Sequence, residues 1–104
     1  MAIKIIQDKF GNKIKLTLDR LNHILTTHPE IKGLEDKISI TLKDPDIIKQ
    51  SIYESNVHIY YKYYKMKPKE KHLAVVIRIN VNNFVITTYI TDRIKKGDLI
   101  WKKN

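Results

Sequence analysis

The sequence predicts an α+β fold, with an N-terminal hairpin and two helices packed on a four- to five-stranded antiparallel sheet, in a single domain over residues 1–104. Three observations carry this expectation. Leu18, Leu21, Leu25 and His28 recur at helical spacing. The later stretches Val57–Tyr64, 72–81 and Phe84–Thr91 are rich in β-branched and aromatic residues. No linker, internal repeat or low-complexity tract interrupts a chain long enough for one modest core.

Each element follows from local chemistry. Ile3 and Ile5, then Ile14 and Leu16, alternate with polar residues around Lys9-Phe10-Gly11-Asn12, where glycine supplies the positive φ of a tight reversal and Asp8 and Asn12 add turn chemistry. Thr17 is a helix N-cap, with Asp19 in the first turn offsetting the helix dipole. Pro29 disfavours α conformation at His28 and ends the first helix there. A second helix is expected over 34–43, burying Leu34, Ile38 and Leu42, until Asp44-Pro45-Asp46 breaks it. Residues 47–53 read equally as a short helix or a strand. The segment 65–71, with Pro68, reads as an exposed loop, and Val81-Asn82-Asn83 as a tight turn. Leu99-Ile100-Trp101 is expected to pack back as a last short strand or tether.

Composition narrows the function classes. A hydrophobic content of 42% with 30% charged residues is that of an ordinary globular protein. No run reaches the roughly 18 apolar residues of a membrane span, and the N-terminus lacks a signal-peptide pattern. The absence of cysteine excludes disulfides, thiol nucleophiles and thiolate zinc sites, so the expected location is cytoplasmic. Residues 1–56 carry nine Lys/Arg against eight Asp/Glu, whereas residues 57–104 carry eleven against three. A basic half joined to a near-neutral half is the electrostatic footprint of a polyanion partner, most often nucleic acid, although a lysine-rich solvated surface gives the same count.

Strand alternation sorts candidate residues by face. In Phe84–Thr91, Phe84, Ile86, Thr88 and Ile90 share one side, and Val85, Thr87, Tyr89 and Thr91 the other. In 72–81, Leu73, Val75, Ile77 and Ile79 form an apolar side, with Ala74, Val76, Arg78 and Asn80 opposite. With the helices on the apolar sides, the uncovered face carries Thr87, Tyr89 and Arg78, and the Tyr60/Lys62 set is expected beside them. Cations there would meet phosphates and rings would stack on bases. Thr and Tyr are also simply good strand residues.

His23-Ile24-Leu25-Thr26-Thr27-His28-Pro29-Glu30 places two of the four histidines beside a carboxylate. At 100° per residue His23 lies near Arg20 and Thr27, away from the apolar stripe, and His28 falls at the last turn on the stripe side. Either can be structural or functional. His58 and His72 are isolated. The His23/His28 spacing of five does not place two imidazoles on one helical face, and no carboxylate cluster completes a set, so no metal is expected. Three glycines and no Gly-rich phosphate loop argue against a nucleotide cofactor, and none is expected.

Taken together, Leu16-Thr17-x-x-Arg20-x-x-His23-Ile24-x-x-x-His28-Pro29-Glu30, Thr41-Leu42-x-x-Pro45-Asp46-x-Ile48, the Tyr60-Tyr61 strand, the apolar strand from Leu73 to Ile77 and Ile86-Thr87-x-Tyr89 resemble the phage-associated nuclease families of the barnase–EndoU–colicin–RelE superfamily, over about residues 14–101. The most specific pieces are the His-x4-His-Pro-Glu run and the Thr-x-Tyr strand. The resemblance implies N-terminal helices against an antiparallel sheet and metal-independent RNA cleavage by 2′-OH transesterification. It marks His23, Thr87 and Tyr89 as motif residues; Arg78 joins them from the face assignment, as the cation for the transition state.

Tyr60, Lys62, His28 and Arg20 are the candidate RNA-contacting residues. RNA is the expected partner, and an acidic antitoxin or inhibitor protein would cover the Tyr/Lys face. The competing reading is a non-catalytic RNA- or protein-binding module of the same fold. His23 reaches Thr87 only around an edge or end of the sheet.

Overall fold

The structure, a computed structural model, describes residues 3–64, 71–80 and 82–104. Strands β1 (Ile3–Gln7) and β2 (Lys13–Thr17) form the expected hairpin. Asp8 shapes its turn: the carboxylate accepts from the Phe10 and Asn12 N–H groups at 3.0 and 2.8 Å, and Gly11 takes a φ of 88°, where a β-carbon is costly. Helix α1 (Leu18–Thr27) begins at Thr17, whose side chain accepts from the Arg20 N–H at 3.1 Å, and ends at His28. A single 3-10 turn (Pro29–Ile31) leads to α2 (Asp36–Lys43). Strands β3 (Ile47–Ser51), β4 (Val57–Tyr64), β5 (Lys71–Arg78), β6 (Phe84–Thr91) and β7 (Gly97–Lys102) follow. The 65–71 loop and Val81 turn expectations fall mostly on residues outside those described; Lys71 itself opens β5.

The α+β class holds, but among the described residues the sheet has seven strands and is mixed, in the order β1-β2-β6-β5-β4-β3-β7. The hairpin joins through one parallel pair, Lys15 with Phe84, and β3 and β7 extend the other end. Residues 47–51 therefore resolve to a strand, paired on both sides. At the start of β7 a β-carbon on Gly97 would overlap the Gln50 carbonyl oxygen, so only glycine lets the two strands close.

Both helices pack on one face of the sheet, against β1, β2, β4, β5 and β6. The core there joins Ile6, Ile14 and Leu16 of the hairpin with Ile24, Ile31, Ile38 and Leu42 and with Leu73, Val75, Ile77 and Val85. Two expected inward faces change in part. Ile6, opposite Ile14, is buried while Ile5 is 51% exposed, and in α1 Leu21 and Leu25 pack against the core as expected but Ile24 is the fully buried residue and Leu18 faces solvent. In each case two overlapping apolar patterns compete, and the packed partner decides.

The turn of the hairpin reaches over this covered face. Tyr60 Oη donates to Asp8 Oδ2 at 2.6 Å, and Lys9 Nζ sits 3.9 Å from the centre of the Trp101 ring. Asp44, after α2, accepts from Lys62 Nζ and Lys103 Nζ, both at 3.1 Å, and these ammonium groups hold its carboxyl below the ordinary range.

His58 shares the covered side, where burial holds its imidazole below its ordinary 6.5 against the opposing pull of Asp8. The unfolded chain then binds the proton first as pH falls. His58 therefore costs no stability above 6.5 and removes some as pH drops towards the folded value. His58→Gln is expected to flatten the fall of the urea midpoint between about pH 7 and about pH 5; an unchanged slope would place His58 in solvent.

Candidate nucleic-acid interface

Among the described residues, the opposite face of the sheet carries no helix. Residues directly opposite each other on neighbouring strands share a face, so register decides which side chains lie there. Tyr89 pairs with Ala74, Thr87 with Val76, Tyr61 with Ala74 and Ile59 with Val76. Thr87, Tyr89 and Arg78 thus occupy the open face, as the alternation predicts. Tyr60 and Lys62 do not. Tyr60 pairs with Val75 and Lys62 with Leu73, on the helix side, where Tyr60 is buried against Asp8 and Lys62 is tied to Asp44. The partners that satisfy their polar tips come from distant turns, so neither meets a ligand with Thr87. In their place β4 presents Val57, Ile59, Tyr61 and Tyr63. A bulge at Ile86 also turns Val85 into the core and Phe84 outward, reversing the expected sides of both.

Aromatic rings cross the open face in sequence. Tyr63 meets His72 edge-on at 5.7 Å between centroids, and His72 meets Tyr61 at 6.4 Å. Tyr61 lies beside Tyr89 and interacts with its buried hydroxyl outside good hydrogen-bond geometry. Tyr89 in turn faces His28 at 5.8 Å. Burial pushes the Tyr61 phenol up to about 12 and raises that of Tyr89, so both stay protonated at neutral pH.

His28 reaches this face because, on the side away from β5, β6 makes only its single pair with β2 among the described residues, and α1 and the 3-10 turn lie alongside it. Arg20, at the start of α1, donates from Nη1 to the Ile86 carbonyl at 3.4 Å, fixing the helix to the bulge. Arg20 is thereby a fastening of the site. The Pro29 turn then folds Glu30 back so that its Oε2 lies 3.3 Å from His28 Nδ1. His23 lies on the exposed surface of α1 and, among the described residues, its side chain makes no hydrogen bond, ion pair or ring contact. The histidine at the sheet edge is His28.

Residues 92–96 connect β6 to β7 across this same face. The Lys95 N–H donates to Tyr61 Oη at 3.1 Å, and Lys95 Nζ stands 5.4 Å from the Tyr89 ring centre. Beneath lies a pocket of ≈ 450 Å³ lined by apolar Ile52, Val57, Ile59 and Val76, the hydroxyl residues Ser51, Tyr53, Thr87 and Tyr89, and the cations Lys95 and Lys96. Among the described residues no carboxylate lines it. Arg78 sits across from Val57 and is paired with Glu54 at 3.1 Å. The Lys95-Lys96 doublet after a strand was visible in the sequence, but only the return of the chain over the sheet makes it part of a site.

Compared with known proteins, the chain matches no family model, no curated protein and no solved structure. Among the described residues no helix is long and apolar enough to cross a membrane.

Proposed function

We propose that the open face binds RNA and cleaves it without a metal, by 2′-OH transesterification, with His28 as the proton-transferring group. The observation that carries this reading is the His28–Glu30 pair packed on the ring of Tyr89, which with Thr87, Lys95 and Lys96 lines a basic pocket. A carboxylate on Nδ1 holds the imidazole in one orientation and leaves Nε2 as the proton acceptor. His28 would take the proton of a ribose 2′-OH as that oxygen bonds to the adjacent phosphorus. The 5′-oxygen then leaves with a proton from a Lys95 or Lys96 ammonium, giving a 2′,3′-cyclic phosphate. Those two lysines, and Arg78 if Glu54 releases it, would offset charge on the pentavalent phosphorus. Thr87 and Tyr89, with its high phenol, act as hydrogen-bonding groups and not as bases.

A second reading, binding without turnover, is favoured by the Arg78–Glu54 pair, which neutralises the best-placed guanidinium. An acidic inhibitor protein suits the same basic face. The deciding experiment is incubation of purified protein with labelled single-stranded RNA in EDTA. Products ending in 2′,3′-cyclic phosphate, absent with 2′-O-methyl RNA, are the expected result. Salt-sensitive binding with intact RNA would establish the second reading instead.

A further inference from the structure

We infer that the pocket beside Thr87 and Tyr89 takes one unpaired base of an RNA strand, with the adjoining phosphate on Lys95 and Lys96, so that this face selects single strands over duplexes. The inference rests on the RNA reading above and names its substrate class. The pocket is concave, and its walls of Ile52, Val57, Ile59 and Val76 are apolar, which suits the flat surface of a base and not a sugar–phosphate edge. A base held in a duplex presents only its edge and would have to be unstacked to enter.

The mouth is built for stacking. Tyr53 is 88% exposed and Ile52 62%, an unusual pair of apolar side chains to leave in water. The loop that carries them is not loose at this point, because the Tyr53 N–H donates to Ser51 Oγ at 3.1 Å. A phenol ring whose backbone is tied to the end of β3 at the rim of an apolar slot can close over a base and complete a sandwich with the walls. Ser51 Oγ, already an acceptor, keeps its own proton to donate to a base edge, and Thr87 offers a second hydroxyl. Charge agrees, since among the described residues the lining has two ammonium groups and no carboxylate.

The test uses fluorescence anisotropy with uncleavable 2′-O-methyl RNA, as a single strand and as a blunt duplex of the same sequence, at matched salt. The single strand is expected to bind at least about tenfold tighter, and Tyr53→Ala to remove about tenfold from the single strand and nothing from the duplex. Lys96→Gln is expected to reduce the single-strand salt slope by about 0.7. Equal binding of the two forms, or an unchanged single-strand affinity in Tyr53→Ala, overturns the inference and leaves the RNA reading intact. Failure of both forms to bind overturns both. The exposure of Tyr53 makes misfolding of its variant an inadequate excuse.

Discussion

Replacing His28 with glutamine is expected to lower the rate of RNA cleavage about 10²–10⁴-fold, with RNA affinity and the urea midpoint near their wild-type values. Glutamine retains a polar side chain that can donate to Glu30, but it neither accepts nor releases a proton near neutral pH. The His28 side chain is about a third exposed, at 35%, and its helix-ending hydrogen bond to Ile24 comes from the backbone, so the fold does not depend on the ring. Glu30→Gln leaves the imidazole in place without the carboxylate that orients it and is expected to cost less, about tenfold in the cleavage rate. His23→Gln serves as the comparison. Loss of activity there with retention in His28→Gln would move the chemistry to the outer surface of α1 and dissolve the site at the sheet edge.

That comparison bears on what a sequence can reveal. Pro29 rightly ends the helix at His28, but within the run from His23 to Glu30 helical angles alone favour His23 because they place it away from the apolar stripe. They cannot register that β6, beside α1, makes only one pair with β2 among the described residues, which lets a helix-end histidine reach around to the open face. Strand faces show the same divide. In β5 one alternating set is Leu73, Val75 and Ile77 and the other contains Arg78, so the apolar side is unambiguous. In β4 both sets contain tyrosine, and the set with Lys62 looks the wetter. It is nevertheless the covered one, because Asp8 and Asp44 arrive from turns remote in sequence to satisfy Tyr60 and Lys62. The bulge at Ile86 has no local mark either, since a single extra residue reverses the faces before it without changing composition. The second helix and the hairpin, whose signals are local, are legible directly.

Asp8→Ala is the substitution with the largest expected effect on stability, a loss of about 2–4 kcal/mol. Asp8 is 5% exposed, and its carboxylate accepts hydrogen bonds from the Phe10 N–H, the Asn12 N–H, Asn12 Nδ2 and Tyr60 Oη. Alanine would unmake the Asx-type turn and leave the Tyr60 phenol buried without its acceptor, whereas Tyr60→Phe removes only one bond and is expected to cost about 1–2 kcal/mol. The contact is also long in range: it holds the hairpin, joined to the sheet by one residue pair, over β4. Because the two residues share that bond, the double variant is expected to be less destabilised than the sum of the single ones, which urea unfolding can measure as a coupling energy. Additive losses would mean that the turn and the tyrosine act independently. Asp8 and the open face lie on opposite sides of the sheet, so the folded fraction of Asp8→Ala should bind RNA as tightly as wild type. A weakened affinity at full folding would show that the hairpin shapes the RNA-binding face after all, through its junction with β6 at Lys15 and Phe84.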